Sequence, residues 1–426
     1  MTPGRLMDPA RWLLGSRAGT AAQVEAFFRE SFPAFPWRMI VTDWTGRTYE
    51  LGRGDAHFSG APLRITLRTE EAGKDILRLD GMRFLERFLE GDVDLSGNLY
   101  ALSYASHYAG GLRVAPWRLA VRAFDAVAFQ DTRRASVNVK SHYDIPQEAL
   151  NVYLDRVYMS YSCGMFEDPD RIDVGELLRI GKGREDEWDS LEKAQWRKFA
   201  DAVTFVAPKQ GETLLDVGCG YGGQLKVALE EQPFGKVVGW THSANQAREG
   251  KALLAGFDRT RFELNEGDYR TDERIYDHIT STGMVSHVGP RGLSPYVKNI
   301  RRRIKREGRY VHHALMIAEH RLPMDLMVGI AFNKKYVWPG FHWFTLGEHT
   351  RALEKGGFHI EKVVNLTRHY AKTTAAWYER MMANEDVMRK SLGKATLRAW
   401  QVFLAGITGS YLLKDIHVYR IYCTAV

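Results

Sequence analysis

Short apolar runs and helical patterns alternate over the second half of the chain. The apolar runs that predict strands are residues 214–217, 237–239, 261–264, 276–280 and 310–315. Helical segments separate them, and the segment after the first strand covers residues 224–231. Alternating strands and helices predict an α/β fold with a doubly wound parallel sheet. In such sheets ligands bind beyond the carboxyl ends of the strands, so candidate functional residues should follow the strands.

The first 129 residues show shorter and more mixed elements. Strands are predicted at residues 39–41, 63–67 and 93–95, and helices at residues 82–89 and from residue 99 onward. We expect a small α+β domain over residues 1–129, whose lack of a catalytic cluster suggests that it positions a lipid or a partner. The polar residues 130–140 are predicted to be a linker, and the α/β domain takes residues 141–426.

A glycine-rich loop joins the first strand of the α/β domain to its first helix. The segment 213–223, TLLDVGCGYGG, places Asp216 near the end of the strand, with Gly218 and Gly220 in the turn. Glycines permit left-handed backbone angles and let a ligand approach the backbone closely. The spacing is not that of the dinucleotide fingerprint. It resembles motif I of S-adenosylmethionine (SAM) methyltransferases, although a purely structural turn is the simpler alternative.

Polar residues after the next two strands extend this candidate site. Thr241 and Gln246 follow the second strand, where a nicotinamide enzyme would usually carry an acid, and they could hydrogen-bond ribose hydroxyls. Asp268 and Tyr269 follow the third strand, where an acid could recognise an adenine amino group. Each residue alone could equally satisfy its local backbone. Their joint placement after successive strands favours an adenosine site.

Composition indicates the size of the protein and the compartment in which it works. The chain has 426 residues, 45% of them hydrophobic, which is enough for a large core and two domains. Its three cysteines are widely separated, so they predict neither a disulfide framework nor a metal site, and a reducing cytosol is expected. No run approaches the roughly 20 apolar residues that span a bilayer. The N-terminal apolar stretch, residues 12–14, is shorter than a signal peptide requires.

The net charge of +7 favours an anionic partner. Nucleic acid and the anionic surface of a membrane both qualify, and charge alone does not choose between them. The densest basic segment, residues 298–309, is typical of the solvated face of a helix rather than of a dedicated site.

Three further segments resemble one enzyme family specifically. They are His-Tyr-Asp at 142–144 leading into YSCGMFE at 161–167, GMVSHVGP at 283–290, and His369-Tyr370 with Thr373 and Trp377. With the glycine loop they resemble, in order from about residue 138 to 380, the cyclopropane-fatty-acyl-phospholipid synthase family, which includes the mycolic acid cyclopropane synthases. The N-terminal domain is similar to the smaller domain of the bacterial members that act on phospholipids.

The resemblance implies a Rossmann-like methyltransferase that uses SAM to methylate the cis double bond of an unsaturated acyl chain in a phospholipid. The product would be a cyclopropane or a methylene- or methyl-branched fatty acid. The SAM-binding residues it implies are Tyr161, Ser162, Asp216, Gly218, Gly220, Thr241, Gln246, Asp268 and Tyr269. It also implies a catalytic pocket with a bicarbonate ion acting as base, whose ligands would be Cys163, His313, the backbone of Leu315 and Tyr370. Ser286 stands at a further ligand position, and His287 lies beside the pocket.

Ser286 departs from the family pattern. The family carries glutamate in Phe-Glu-His-Val-Gly, whereas this chain has Val-Ser-His at 285–287, which leaves bicarbonate binding open and makes an altered product a hypothesis. Water, Glu348 or His342 could replace the missing base. Cys163 lacks a clear Cys-His-acid arrangement, so it is interpreted as a pocket contact rather than a nucleophile. Methyl transfer leaves a carbocation, which aromatic faces can stabilise; the candidates are Trp240, Trp338, Trp343, Tyr370 and Trp377.

Together these features predict a cytoplasmic protein bound peripherally to anionic phospholipid at the inner face of the membrane. We expect no nucleic-acid partner, and we expect a homo-oligomer. A methyl-branched product would need a separate reductase, because the chain shows no second nucleotide-binding loop. Two alternatives remain: a methyltransferase for a soluble small molecule, and a catalytically silent lipid-binding protein on the same fold, for which Ser286 is the best support.

Overall fold

The structure is a computed structural model that describes residues 19–54, 60–108, 145–172, 190–318 and 324–426. The predicted linker at 130–140, the predicted domain boundaries beside it and the motif at 142–144 lie outside these residues. The described residues do not test these three assignments, which stay predictions.

The described N-terminal residues form a small mixed sheet with helices packed against it. Its strands are β1 (Met39–Thr42), β2 (Thr48–Leu51), β3 (Leu63–Leu67) and β4 (Val93–Gly97), in the order β2-β1-β3-β4. Its helices are α1 (Thr20–Ser31), α2 (Glu70–Leu77), α3 (Gly81–Glu90) and α4 (Ala101–Tyr108). Strand β1 runs parallel to β3, and the other two pairings are antiparallel. The arrangement is the α+β unit that the sequence predicts.

Seven described strands form the second sheet. They are β5 (Thr213–Val217), β6 (Lys236–Thr241), β7 (Phe262–Glu266), β8 (His278–Thr282), β9 (Arg309–Ile317), β10 (Phe358–Asn365) and β11 (Ile416–Ala425). Their order is β10-β11-β9-β8-β5-β6-β7, and β11 alone among them pairs antiparallel to its neighbours. The five predicted strands and the parallel α/β sheet are confirmed. Strands β10 and β11 were not predicted.

Helices cover both faces of this sheet. They are α5 (Gln147–Tyr153), α6 (Leu191–Val206), α7 (Gly223–Glu231), α8 (Ala244–Leu253), α9 (Leu293–Arg303), α10 (Met324–Tyr336), α11 (Leu346–Lys355), α12 (Thr367–Ala383), α13 (Glu385–Leu392) and α14 (Lys394–Leu413). Two short 3-10 helices, Tyr269–Thr271 and Met284–His287, follow β7 and β8. Within the described ranges, no helix combines the length and the apolar character needed to cross a bilayer.

The N-terminal unit packs directly onto helices of the α/β unit. The Ser103 hydroxyl of α4 donates to the carbonyl oxygen of Gly406 in α14 over 2.7 Å. The Lys335 ammonium of α10 lies 2.8 Å from the Glu86 carboxylate of α3. One continuous cluster of buried apolar side chains includes residues of α1, β1 and β3 together with residues of α12 and α14. The two units therefore share a core.

Candidate active site

A cavity of about 690 Å³ opens at the carboxyl ends of strands β5 to β8. Almost every predicted site residue borders it, namely Tyr161, Ser162, Cys163, Gly218, Gly220, Thr241, Gln246, Asp268, Tyr269, Ser286, His287, His313, Leu315 and Tyr370. These residues come from the segment between α5 and α6, from the ends of β5 to β8 and the segments that follow them, from β9 and from α12. The structure therefore brings together residues that are more than 200 positions apart in the sequence.

The glycine loop forms the floor of one end of the cavity. The amide groups of Gly218 and Cys219 donate to the carbonyl oxygen of Trp240, which ties the loop to the end of β6. Gly218 has a φ of 80°, and a Cβ at this position would lie 3.0 Å from Cγ of Met284. Both the backbone angle and the close contact favour glycine here. The loop thus offers bare backbone to a ligand.

Asp216 is the one predicted cofactor residue that does not border the cavity. Its carboxylate is buried beneath the loop and accepts a hydrogen bond of 2.8 Å from the Thr280 hydroxyl on β8. The two residues are direct neighbours across the β5–β8 pairing. Burial raises the pKa of Asp216 to about 7. Asp216 thus joins two strands under the loop, and its predicted contact with the cofactor stays a prediction.

The predicted ribose pair is held in place by local hydrogen bonds. The Thr241 hydroxyl donates to Oε1 of Gln246 over 2.6 Å. The Ser243 side chain caps α8 by accepting a hydrogen bond from the Gln246 amide. Both cavity-lining side chains are therefore oriented before any ligand binds.

The loop after β7 is held by two arginines. Burial opposes ionisation of Asp268, but hydrogen bonds from Arg270 outweigh it and lower the pKa of the Asp268 carboxyl. The guanidinium of Arg303 is buried and donates to the carbonyl oxygens of Arg270 and Asp272. Arg303 belongs to the basic segment that was predicted to be solvated, so that prediction is wrong for this residue. The hydrogen bonds of Arg303 hold the loop that carries Asp268 and Tyr269.

Lys198 supports the opposite end of the cavity and was missed in the sequence. Its ammonium is fully buried and donates to Ser162 Oγ over 2.8 Å, to Gln195 Oε1 over 2.6 Å and to Ser160 Oγ. Burial lowers the pKa of Lys198 to about 7. The sequence pattern could have revealed it, because Gln195 and Lys198 lie on the same helical face as the apolar Leu191, and a lysine on a buried face needs polar partners.

The thiol and the two imidazoles among the predicted catalytic side chains are uncharged at neutral pH. Burial raises the pKa of the Cys163 thiol to about 12, and its Sγ donates to the Gly164 carbonyl oxygen. Burial lowers the pKa of His287 to about 4 and holds that of His313 well below its usual value. Cys163 is thus a protonated thiol, as expected for a pocket contact rather than a nucleophile.

The Ser286 hydroxyl and Nδ1 of His313 are buried at this end and have no protein partner in the described part of the chain. The carbonyl oxygen of Ser286 accepts a hydrogen bond of 2.9 Å from the His342 amide, so the Ser286 backbone is fixed. Buried polar groups normally find a partner, so the space beside them fits a small polar group such as bicarbonate or water. Bicarbonate stays a prediction.

Neither proposed replacement for the family carboxylate borders the cavity. The Glu348 carboxylate accepts a hydrogen bond of 2.7 Å from the Thr345 amide as part of the capping box of α11. His342 is half-buried beside Phe344, with ring centroids 4.6 Å apart. Among the residues that the structure describes, no group of three or more His, Cys, Asp and Glu side chains is placed to hold a metal ion.

Comparisons with known proteins identify the family of the chain. A family model described as mycolic acid cyclopropane synthetase matches residues 130–421. The chain belongs to that family. Over 401 residues it is 26% identical to the cyclopropane-fatty-acyl-phospholipid synthase of Escherichia coli strain K12, covering 92% of this chain and 94% of the relative.

Two other members of this broad group are similar over long stretches. Sphingolipid C9-methyltransferase 1 of Gibberella zeae is 26% identical, with 92% of this chain and 75% of the relative covered. The structure of mycolic acid cyclopropane synthase CmaA1 complexed with SAH and CTAB is 25% identical, with a TM-score of 0.60. It covers 68% of this chain and 98% of CmaA1. The chain is therefore a SAM-dependent methyltransferase of the mycolic acid cyclopropane synthetase family.

Aromatic rings enclose the end of the cavity that Cys163, Ser286 and His313 line, which we call the reacting end. Tyr161 stacks on Trp377, with ring centroids 5.1 Å apart and an interplanar angle of 21°. Trp338 meets Tyr161 edge-on at 6.3 Å, and Tyr370 meets Trp377 edge-on at 5.9 Å. Of the predicted aromatic candidates, Trp240 borders the cavity at its other end, where its indole donates to Asp272.

Proposed function

We propose that this methyltransferase acts on a cis double bond in an unsaturated acyl chain of a phospholipid. The observation that carries the proposal is a single cavity that joins a glycine-loop cofactor site to an uncharged, largely aromatic reacting end. An oxygen or nitrogen acceptor in a soluble substrate usually needs a base to remove its proton. An alkene attacks through its π electrons and needs no proton removed first.

The family relatives support a lipid substrate. The relative in Escherichia coli is named as a cyclopropane-fatty-acyl-phospholipid synthase, and the relative in Gibberella zeae as a sphingolipid methyltransferase. Both names describe enzymes that act on lipids. A lipid substrate is what the two names share, and the acyl double bond as acceptor is our proposal for this chain.

The residues of the cavity suit SAM. When bound, SAM supplies an electrophilic methyl group on a positively charged sulfur. Tyr161 and Ser162 would hold its methionine end near the glycine loop. Thr241 with Gln246 would bind the ribose. The residues Asp268 and Tyr269 would border the adenine, and the buried site would hold the two reactants in line while excluding water.

Transfer of the methyl group to the alkene leaves a carbocation, and the product depends on the residues of the reacting end that surround it. The faces of Tyr161, Trp338 and Tyr370 would stabilise positive charge on the acyl carbon next to the new methyl group. Removal of a proton from that methyl group closes a cyclopropane, whereas a hydride shift followed by proton loss gives a methylene branch. Because Ser286 replaces a carboxylate of the family pattern, both products belong to the proposal.

We further propose that the protein works on the cytoplasmic face of an anionic membrane as a peripheral homo-oligomer. The net charge of +7 supports attraction to anionic phospholipid. A separate reductase would complete a methyl-branched product.

The test uses methyl-labelled SAM with phosphatidylglycerol vesicles whose chains are either cis-monounsaturated or fully saturated. Mass spectrometry of the released fatty acids should find label in the unsaturated chains only, as a cyclopropane or a branch. A Gly218→Leu variant serves as a control, because its side chain would collide with Met284. Turnover of SAM without lipid labelling, in the presence of cell extract, would favour a soluble acceptor. The absence of any turnover would favour a silent lipid-binding protein.

A further inference from the structure

A second, apolar cavity lies between the N-terminal unit and the α/β unit. We call it the interdomain cavity; its volume is about 200 Å³. Its walls include Phe28, Phe84 and Leu102 on one side and Ile330, Phe403 and Ile407 on the other. An engineered apolar cavity of about 150 Å³ stays dry and binds small apolar molecules, so this larger one can do the same.

The few polar groups at the interdomain cavity do not suit an anion. The hydroxyls of Ser103 and Ser410 both donate to the carbonyl oxygen of Gly406, so their protons are already used. The charged residues among those described at its border are Asp80 and Asp415. Two carboxylates would repel a phosphate head group. The cavity therefore favours an uncharged hydrocarbon segment.

One layer of aromatic rings separates this cavity from the reacting end. Trp338 borders the SAM cavity, and its ring centroid lies 5.5 Å from that of Phe403, which borders the interdomain cavity. The same layer continues through Phe341, whose ring lies 6.1 Å from Trp338 and 4.6 Å from Trp343. An acyl chain that extends from one cavity into the other would therefore have to displace Trp338 and Phe403.

We propose that the interdomain cavity binds the methyl-terminal segment of the acyl chain whose double bond is methylated. The proposal rests on the proposed function, because it places the part of the same substrate that lies beyond the alkene. If one methylene occupies about as much volume as one water molecule, roughly 30 Å³, the cavity accommodates about seven carbons. The N-terminal unit would then help to select the double bond by its distance from the chain end.

Gly329 of α10 gives a direct test. It borders the interdomain cavity, and a Cβ at this position would meet no atom within 4 Å. Replacing a helical glycine with leucine or alanine also favours the helix, so both variants should fold. Gly329→Leu places a bulky side chain at the border of the cavity, and Gly329→Ala is the matched control. Thermal unfolding of each variant checks the fold.

The substrates are phosphatidylglycerols with chains of equal length whose cis double bonds lie near to or far from the terminal methyl group. Gly329→Leu should slow methylation of chains with a long terminal segment by roughly tenfold, the effect of losing burial of about two methylenes. Chains with a short terminal segment, and the Gly329→Ala variant, should be little affected. An equal effect on all chains, or none, would overturn the cavity assignment. If the wild-type protein methylates no lipid, the proposed function itself fails.

Photo-crosslinking tests the location without relying on a variant. The probe is phosphatidylglycerol whose cis-monounsaturated chain carries a diazirine beside its terminal methyl group. Label should appear in peptides from α3, α10 and α14, and it should decrease in Gly329→Leu. Label on the outer surface, or at a contact between two copies of the chain, would overturn the assignment.

Discussion

Ser286→Glu tests the link between the reacting end and the product. The Ser286 side chain is 3% exposed, and its hydroxyl has no partner among the described residues. The introduced carboxyl would lie in the cavity that also contains the uncharged side chains of Cys163 and His313. It would be the only carboxyl among the described residues at the reacting end.

The expected magnitude follows from another buried acid in the same chain. Asp216 has one side-chain hydrogen bond, from Thr280, and burial raises its pKa to about 7. A similar shift from the usual value of about 4.3 would cost about 4 kcal/mol of stability. Because the folded-state pKa is raised, the cost is absent below about pH 4 and complete above about pH 7. A carboxyl that titrates near neutrality is also an effective general base.

We therefore expect Ser286→Glu to raise the ratio of cyclopropane to branched product by roughly tenfold or more, since a positioned base contributes about 10²–10⁴ in rate. The assay is mass spectrometry of fatty acids after reaction with methyl-labelled SAM, across a range of pH. Ser286→Gln is the matched control, because it has the same shape and cannot accept the proton. An unchanged product ratio and rate in Ser286→Glu, with the protein folded, would refute the reasoning.

Three further predictions concern the cofactor end and the membrane. Lys198→Met removes the ammonium that donates to Ser162, so it should raise the KM for SAM roughly tenfold and change kcat little. The control Lys198→Arg should keep most of the affinity for SAM. In the wild type the same KM should rise as the pH increases past about 7, where Lys198 loses its proton; a KM independent of pH would contradict this. Gly218→Ala should weaken SAM binding about tenfold in calorimetry, because a left-handed backbone costs an L-residue about 1–2 kcal/mol and Met284 lies close to the added methyl group. The control is Gly256→Ala, whose methyl group meets no atom within 4 Å, and it should bind SAM normally. Binding to phosphatidylglycerol vesicles in cosedimentation should weaken with added salt and be poor for phosphatidylcholine; equal binding to both lipids would argue against electrostatic attraction.

Local spacing explains why most of the site could be predicted from the sequence. The glycine loop, Thr241 and Gln246 follow strands whose apolar runs are short and distinct. The position of Asp216 away from the cavity could not be predicted, because its neighbour across the sheet, Thr280, depends on strand register, which no local pattern specifies. Strand β11 was missed because it pairs with β9 about 100 residues earlier.

The interdomain cavity was beyond prediction for a related reason. Its walls combine Phe28 near one end of the described chain with Phe403 near the other. Neither residue carries a pattern that differs from ordinary core packing. Lys198 was a different case, since its place on an apolar helical face could have been noticed.

The shared core also determines how the protein should unfold. Side chains of α1 and β3 belong to the same buried cluster as those of α12 and α14, and Arg398 of α14 pairs with Asp94 of β4. Domains joined only by a linker can melt separately, but units with a common apolar core lose their packing together. Heating should therefore give one cooperative transition, in which the adenosine-binding sheet and the N-terminal sheet are lost at the same temperature.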